Sequence, residues 1–181
     1  MNSNKSKILL IGSQGSGKST QSKLLSKYLS VPFIETGTIL RNLSEEETAS
    51  GIEIKERLSK GEMVSDDIVA ELVEKRLKEK GCENGFVMNG YPRNLNQIKL
   101  FDPGFTRVFY LKIDDNLILD RLLKRGREDD TQVIIEKRLS DYHSLTEPIL
   151  DYYKNSGILE TVNGEESVDS IQSKIRSRLN D

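Results

Sequence analysis

The sequence predicts an α/β fold in three layers, α/β/α, built on a five-stranded parallel sheet with helices on both faces. Three observations carry that prediction. Short apolar runs of strand length alternate along the chain with charged stretches of helical period. The first of these runs stops at a glycine-rich turn that opens directly into a helical stretch, as a βαβ unit begins. The length, 181 residues, suits one domain with a real core, on a prior of ~100–200 residues per domain.

Each element follows from its residues. Residues 7–11 form a short apolar run that ends at Gly12, the pattern of a strand buried on both faces. A helix is expected from Lys18 to about Leu29, and a second strand over 31–35. Residues 36–65 are short, charged and helical, broken at Gly51 and Gly61, which reads as a small helical insertion. Ser65 is placed to cap the next helix. Val69, Leu72, Val73 and Leu77 give that helix one apolar face, and Gly81 ends it. Residues 85–89 and 107–113 read as the third and fourth strands, and 116–125 as a helix. A long helix is expected over 131–155, with an irregularity near Pro148. A last strand over 159–162 and a last helix over 167–179 close the pattern.

Composition narrows the function classes. Lys plus Arg is 27 and Asp plus Glu is 29, a formal charge of −2, which argues against an electrostatic nucleic-acid binder. Charged residues at 31% and apolar residues at 35% describe a globular chain rather than a disordered one. A single cysteine, Cys82, and a single histidine, His143, exclude an internal disulfide and a Cys/His zinc site, so no structural zinc is expected. The longest apolar run, 8–11, falls far short of a membrane span of ~20 residues, and 1–5 carry no signal-peptide apolar region. A cytoplasmic protein without a membrane partner is the expectation.

The strongest motif is Gly12-Ser13-Gln14-Gly15-Ser16-Gly17-Lys18-Ser19, which fits G-x-x-x-x-G-K-[ST] in full and lies between a strand and a helix. Glycines let backbone N–H groups converge on phosphate oxygens without Cβ clashes. The following helix points its positive end at the same place. Lys18 suits the β- and γ-phosphates, and the Ser19 hydroxyl suits Mg²⁺. The motif specifies nucleotide-phosphate binding; kinase, hydrolase and switch remain open at this point.

Further residues align with one family. The run 8–21, the segment Thr36-Gly37-Thr38-Ile39-Leu40-Arg41, the segment Asn89-Gly90-Tyr91-Pro92-Arg93, Gln97, the run Arg127-Glu128-Asp129-Asp130 and the stretch 141–148 together resemble adenylate kinase. The resemblance extends over about 8–163 in the family's order. It implies reversible transfer of the ATP γ-phosphoryl group to AMP with Mg²⁺, giving ADP, on a P-loop fold with a helical nucleoside-monophosphate lobe and a mobile lid. Carried over onto this chain, the core is 1–35, 66–124 and 131–181, the monophosphate lobe 36–65 and the lid 125–130. The resemblance places ATP at Gly15, Ser16, Gly17, Lys18, Ser19, Thr20, Arg121, Arg125 and Gly164. It places AMP at Thr36, Gly37, Arg41, Met63, Val64, Gly90, Tyr91, Arg93, Gln97, Arg127 and Arg138. Lys18, Arg93, Arg125, Arg127 and Arg138 would surround the transferring phosphoryl group, which needs positioning and charge neutralisation rather than a protein nucleophile. Arg41 and Arg93 would clamp the AMP phosphate as planar forks, and Gln97 would meet the adenine edge with donor and acceptor.

The chain also departs from the family. Asn89 and Thr38 stand where the family usually has Asp near the metal, so two carboxylates are expected to be missing. Ser19 stands where the family usually has Gly, and is expected to offset part of that loss as a direct Mg²⁺ ligand, with Asn89 acting through water. Gln14 replaces the usual Pro. The lid is shorter than even the family's short form, so either the site leaks to water or a second copy of the chain closes it. Two alternatives stand beside adenylate kinase: a kinase for CMP or UMP, against which Thr36 and Gln97 speak, and a nucleotide-binding module with weakened catalysis. Some residues have plainer readings. Asp129 and Asp130 serve equally as helix caps, Glu45, Glu46 and Glu47 as an exposed helix face, His143 as a structural hydrogen-bonding group, and Tyr142, Tyr152 and Tyr153 as packing.

Overall fold

The computed structural model describes residues 6–126 and 131–179. Its strands are β1 (Ser6–Ile11), β2 (Phe33–Glu35), β3 (Gly85–Asn89), β4 (Arg107–Lys112) and β5 (Leu159–Asn163), and they form one sheet, parallel throughout, in the order β2-β3-β1-β4-β5. The helices are α1 (Lys18–Leu29), α2 (Thr36–Leu43), α3 (Ala49–Ser59), α4 (Asp66–Lys78), α5 (Leu95–Leu100), α6 (Asp115–Arg125), α7 (Gln132–Asp141), α8 (Pro148–Asn155) and α9 (Val168–Ser177).

Strand side chains alternate between the two faces, and both faces are buried. Ile8, Leu10, Val87, Phe109 and Leu111 pack against Leu25 of α1 and against Ile171 and Ile175 of α9. Leu9, Ile11, Met88 and Val108 point the other way, onto Val69 and Val73 of α4 and Ile149 and Tyr153 of α8. This is why residues 8–11 read as a continuous apolar run. Because β1 is flanked by β3 on one side and β4 on the other, the chain reverses its winding there, and a crevice opens outside the carboxyl ends of the strands.

Four sequence expectations need correction. The helix expected over 131–155 is α7, a π-helical turn Tyr142–Thr146, and α8. Pro148 has no N–H to continue the helix, so it restarts at that residue, and Glu147 N–H donates to Tyr142 O (2.9 Å) in the wide turn just before it. Helix α5 was not expected; the signal was Asn94, whose side chain accepts from the Gln97 backbone N–H as an N-cap. Gly51 does not break the insertion but lies in the first turn of α3, where a Cβ would come within 2.3 Å of Glu46 O, so the position needs glycine for close approach. Ser65 sits at the N-cap of α4, but its side chain makes no capping hydrogen bond. At α7 the cap is Thr131, which accepts from Ile134 N–H, while Asp129 and Asp130 lie outside the described residues.

Candidate active site

The crevice at the carboxyl edge of the sheet is a cleft of about 640 Å³, within the usual ~300–1,000 Å³ of ligand pockets. One wall is the loop between β1 and α1. Gly15 and Gly17 there have φ of +86° and +89°, a conformation that side chains resist, and Gly17 is the N-cap of α1. No side chain caps α1, so its positive end is open to an anion. Lys18 reaches across the loop to donate to Ser13 O (2.9 Å). Desolvation, followed by the charges of Arg93 and Arg125, pushes its pKa down to about 7, against the opposing pull of Glu35. An incoming phosphate would reverse that field and restore the ammonium.

Helix α6 supplies Arg121 and Arg125, one turn apart. Arg121 donates to Gly164 O (3.3 Å), which ties it to the end of β5. Arg138 Nη1 lies 3.4 Å from Gln14 Oε1, and turning the Gln14 carboxamide over, the orientation its neighbours favour, lets its oxygen accept from Arg125 Nη2 (2.8 Å) and Arg138 Nη1 (3.1 Å). Gln14 thus stands between two arginines from two different helices.

The opposite wall comes from α2, the 61–64 loop and the segment after β3. Thr36 is buried and donates to Asn89 O (3.3 Å). Gln97 is buried, accepts from the Arg93 backbone N–H (2.8 Å) and donates to Asp66 Oδ1 (2.8 Å). Asp66 also accepts from Asn94 and Asn96, so one carboxylate at the start of α4 sets the orientation of the whole 94–97 segment. Each end of the Gln97 amide keeps one further hydrogen-bonding capacity for a ligand. Thr146, in the π turn, donates to Arg93 O (2.8 Å) and fixes the backbone of that arginine. Desolvation, then the charges of Arg138 and Arg41, lower the Arg93 pKa, the mark of several cations held together around a space.

Most residues expected at the site line this cleft: Gly15, Gly17, Lys18, Ser19, Thr20, Arg121 and Arg125 on one side, and Thr36, Gly37, Arg41, Met63, Val64, Gly90, Arg93, Gln97 and Arg138 on the other, with Asn89 between. Three do not line it. Ser16 is fully buried beneath the loop, close enough that a Cβ on Gly12 would meet its Oγ at 2.6 Å. The Tyr91 ring is fully buried, and its hydroxyl, with one proton to donate, lies between Phe101 O (2.6 Å) and Gln97 O (2.8 Å). Gly164 lies behind Arg121. Arg127, and with it most of the 125–130 lid, lies outside the described residues.

Ser19 is not bordered only by uncharged groups: its hydroxyl donates to Glu35 Oε1 (2.5 Å), and Asn89 Nδ2 donates to Ser19 Oγ (3.3 Å). Thr38 donates to the other oxygen, Glu35 Oε2 (2.5 Å). Burial would raise the Glu35 pKa, but the hydrogen bonds from Ser19 and Thr38, then the charges of Arg41 and Lys23, outweigh it and keep the carboxyl below its usual value. Glu35, Asp66, Thr146 and the pairing of Gln14 were missed by sequence reasoning. Only Asp66 carried a local signal, as an acid in the first turn of a helix. Among the described residues no group of three or more His, Cys, Asp and Glu is placed to hold a metal ion. No described helix is long and apolar enough to cross a membrane.

A strand, a glycine loop and a helix at the switch point of a parallel sheet define a P-loop nucleotide-binding protein, and the arginine-rich wall facing the loop belongs to members that bring a second phosphate-bearing ligand to it. A family model described as adenylate kinase matches residues 10–158. The chain is 36% identical over 180 residues to adenylate kinase 1 of Nostoc sp., covering 96% of this chain and 98% of that one. It is 37% identical to adenylate kinases of Bifidobacterium longum (96% and 99% covered) and Prochlorococcus marinus (97% and 99% covered). The chain belongs to the adenylate kinase family.

Proposed function

We propose that this chain catalyses the reversible transfer of the γ-phosphoryl group of ATP to AMP, giving two ADP. The observation that carries the reading is the two-walled cleft: the α1 cradle with Lys18 faces Arg41 and Arg93 across it, and Arg125 and Arg138 meet over the gap at Gln14. That is the electrostatic need of phosphoryl transfer, in which the chain aligns an attacking and a leaving oxygen and offsets spread negative charge.

In this reading the backbone of 15–20 holds the β-phosphate, Lys18 bridges toward the γ-phosphate, and Arg121 stacks on the ATP base. Residues 36–65 act as the monophosphate lobe, with Thr36, Met63, Val64 and Gln97 around the AMP base and Arg41 and Arg93 on its phosphate. Arg125, Arg127 and Arg138 neutralise the group in flight. The metal-side donors are hard oxygens, a hydroxyl at Ser19 with a carboxylate against it and an amide at Asn89, which suit Mg²⁺. Mg²⁺ brought with ATP would neutralise β- and γ-phosphate charge. Water exclusion falls to the lobe itself: Gly61 packs against Ile134 of α7, and Lys137 bonds Glu62 (3.4 Å) and Lys60 O (3.3 Å). A second copy of the chain is the other means of cover.

A coupled assay with ATP, Mg²⁺ and a panel of AMP, CMP and UMP tests the reading, with AMP expected to give the highest kcat/KM. ATP hydrolysis without AMP, measured with the mass in solution, tests the cover. Stoichiometric ADP from ATP and AMP supports the transfer reading; ATP binding without any transfer overturns it.

A further inference from the structure

The Ser19 hydroxyl has a strong acceptor against it, and that acceptor comes from an unexpected strand. Glu35 ends β2 and Asn89 ends β3, and the register pairs them directly, Glu35 with Asn89. Neighbouring residues in parallel register project to the same face of a sheet, and the strands are ~4.8 Å apart. A carboxylate at 35 therefore reaches the spot served by residue 89 if its side chain spans one strand gap, and glutamate is one methylene longer than aspartate. The contact is made: Glu35 Oε1 accepts from Ser19 Oγ at 2.5 Å, while Arg41, its nearest ionic partner, lies at 3.8 Å.

We propose that Glu35 is the carboxylate of the Mg²⁺ site, holding the Ser19 hydroxyl with its proton turned away from the metal and its lone pair toward it, and receiving metal-bound water on its remaining lone pairs. This rests on the reading of the loop as an MgATP cradle. In P-loop proteins the loop Ser or Thr and a nearby strand-end Asp share this work. Here the strand-end position 89 is Asn, and the negative charge has moved one strand sideways. Thr38, at a second position expected to be acidic, donates to Glu35 Oε2 (2.5 Å), so it serves the same carboxylate instead of supplying one. Ser19, Glu35, Thr38 and Asn89 then form one coupled set: a hydroxyl, its acceptor, and two neutral neighbours that bond to that pair.

The experiment measures metal binding directly. MnCl2 is titrated by electron paramagnetic resonance into enzyme with ATP, and ATP binding is measured by calorimetry with and without MgCl2, for the wild type and for Glu35→Gln and Glu35→Asp. Glu35→Gln is expected to weaken Mn²⁺ in the ATP complex by ~10–100-fold, the usual cost of losing an outer-shell partner, with metal-free ATP binding not weakened. Glu35→Asp, keeping the charge, is expected to fall between Gln and wild type. A folded Glu35→Gln protein with Mn²⁺ affinity within twofold of wild type overturns the proposal, as does a loss confined to AMP binding, which would make Glu35 an orienting partner of Arg41. Should Glu35→Gln fail to fold, the wild type still decides: with glutamate carboxyls labelled by carbon-13, MnCl2 and ATP must broaden the Glu35 signal away, and a persisting signal overturns the assignment. Absence of metal-dependent ATP binding in the wild type would instead sink the MgATP reading underneath.

Discussion

The two walls of the cleft are built in opposite ways. The loop wall is largely one uninterrupted segment, Gly12 to Thr20, which offers backbone N–H groups and a helix end. The opposite wall is assembled from side chains of α2, the 61–64 loop, the 90–97 segment and α7. Its key polar group, Gln97, owes its orientation to Asp66, 31 positions earlier. A cradle made of backbone keeps its shape through side-chain change as long as the turn survives. A pocket made of long-range side-chain bonds does not, because the orientation of its polar groups depends on residues far away in the chain.

Perturbing each wall separates the two designs. Lys18→Met should bring the largest loss, abolishing measurable transfer in a protein whose circular dichroism matches the wild type, because the glycine turn and the start of α1 shape the cradle while the ammonium supplies its charge. Near-normal turnover would contradict the loop's role. Arg138→Ala should lower kcat by ~10³–10⁵, the range for an arginine supplied to a transferring phosphoryl group, with little change in the KM for ATP; steady-state kinetics in both substrates would reveal a pure binding effect instead.

Asp66→Ala tests the long-range wall. It leaves Gln97, Asn94 and Asn96 without their acceptor, so the KM for AMP should rise ~10-fold and the preference for AMP over CMP and UMP should narrow, with ATP binding by calorimetry unchanged. An equal loss for all three monophosphates would show that Asp66 supports the wall but not its choice of base.

The smallest effect concerns the frame that joins α6 to the π turn. His143 Nε2 meets Asp115 Oδ2 (2.8 Å) and Nδ1 meets Glu147 Oε1 (3.1 Å). The hydrogen bond with Asp115, and then that with Glu147, outweigh slight desolvation and raise the histidine pKa above its usual value. The stabilisation is fully present below the unfolded pKa of ~6.5 and is lost as pH rises through the higher folded value. The part of the melting temperature that depends on His143, read as the difference between the wild type and His143→Gln, should therefore shrink between pH 6 and pH 9, by no more than ~2–4 °C for so exposed a group, whatever opposite slope the buried Lys18 adds to both proteins. A wild-type minus His143→Gln difference that stays constant from pH 6 to pH 9 would show that His143 carries no pH-dependent stability.

The five strands and the large helices were legible because their signals are local. Residues 8–11 alternate between two buried faces, and the α4 stripe of Val69 and Val73 repeats at helical spacing. The Gly12–Ser19 loop was legible for the same reason: consecutive residues share one backbone path, so their spacing is already their geometry. Helix α5, only six residues long, has too short a period to show one, and it is held by Asn94 and Asp66 rather than by an apolar stripe. The π turn depended on how Pro148 was absorbed, which sequence periodicity does not express.

By itself, then, the sequence determined the sheet, the cradle and the cations offered to it. Only the tertiary structure decided which side chains meet. Glu35 and Asn89 lie 54 positions apart in the chain, and their shared service to Ser19 exists because β2 and β3 pair in one register, Glu35 against Asn89. A slip of one residue would turn Glu35 to the other face of the sheet. Register is fixed by the packing of both faces at once, a property of the assembled sheet that neither strand's residues express alone.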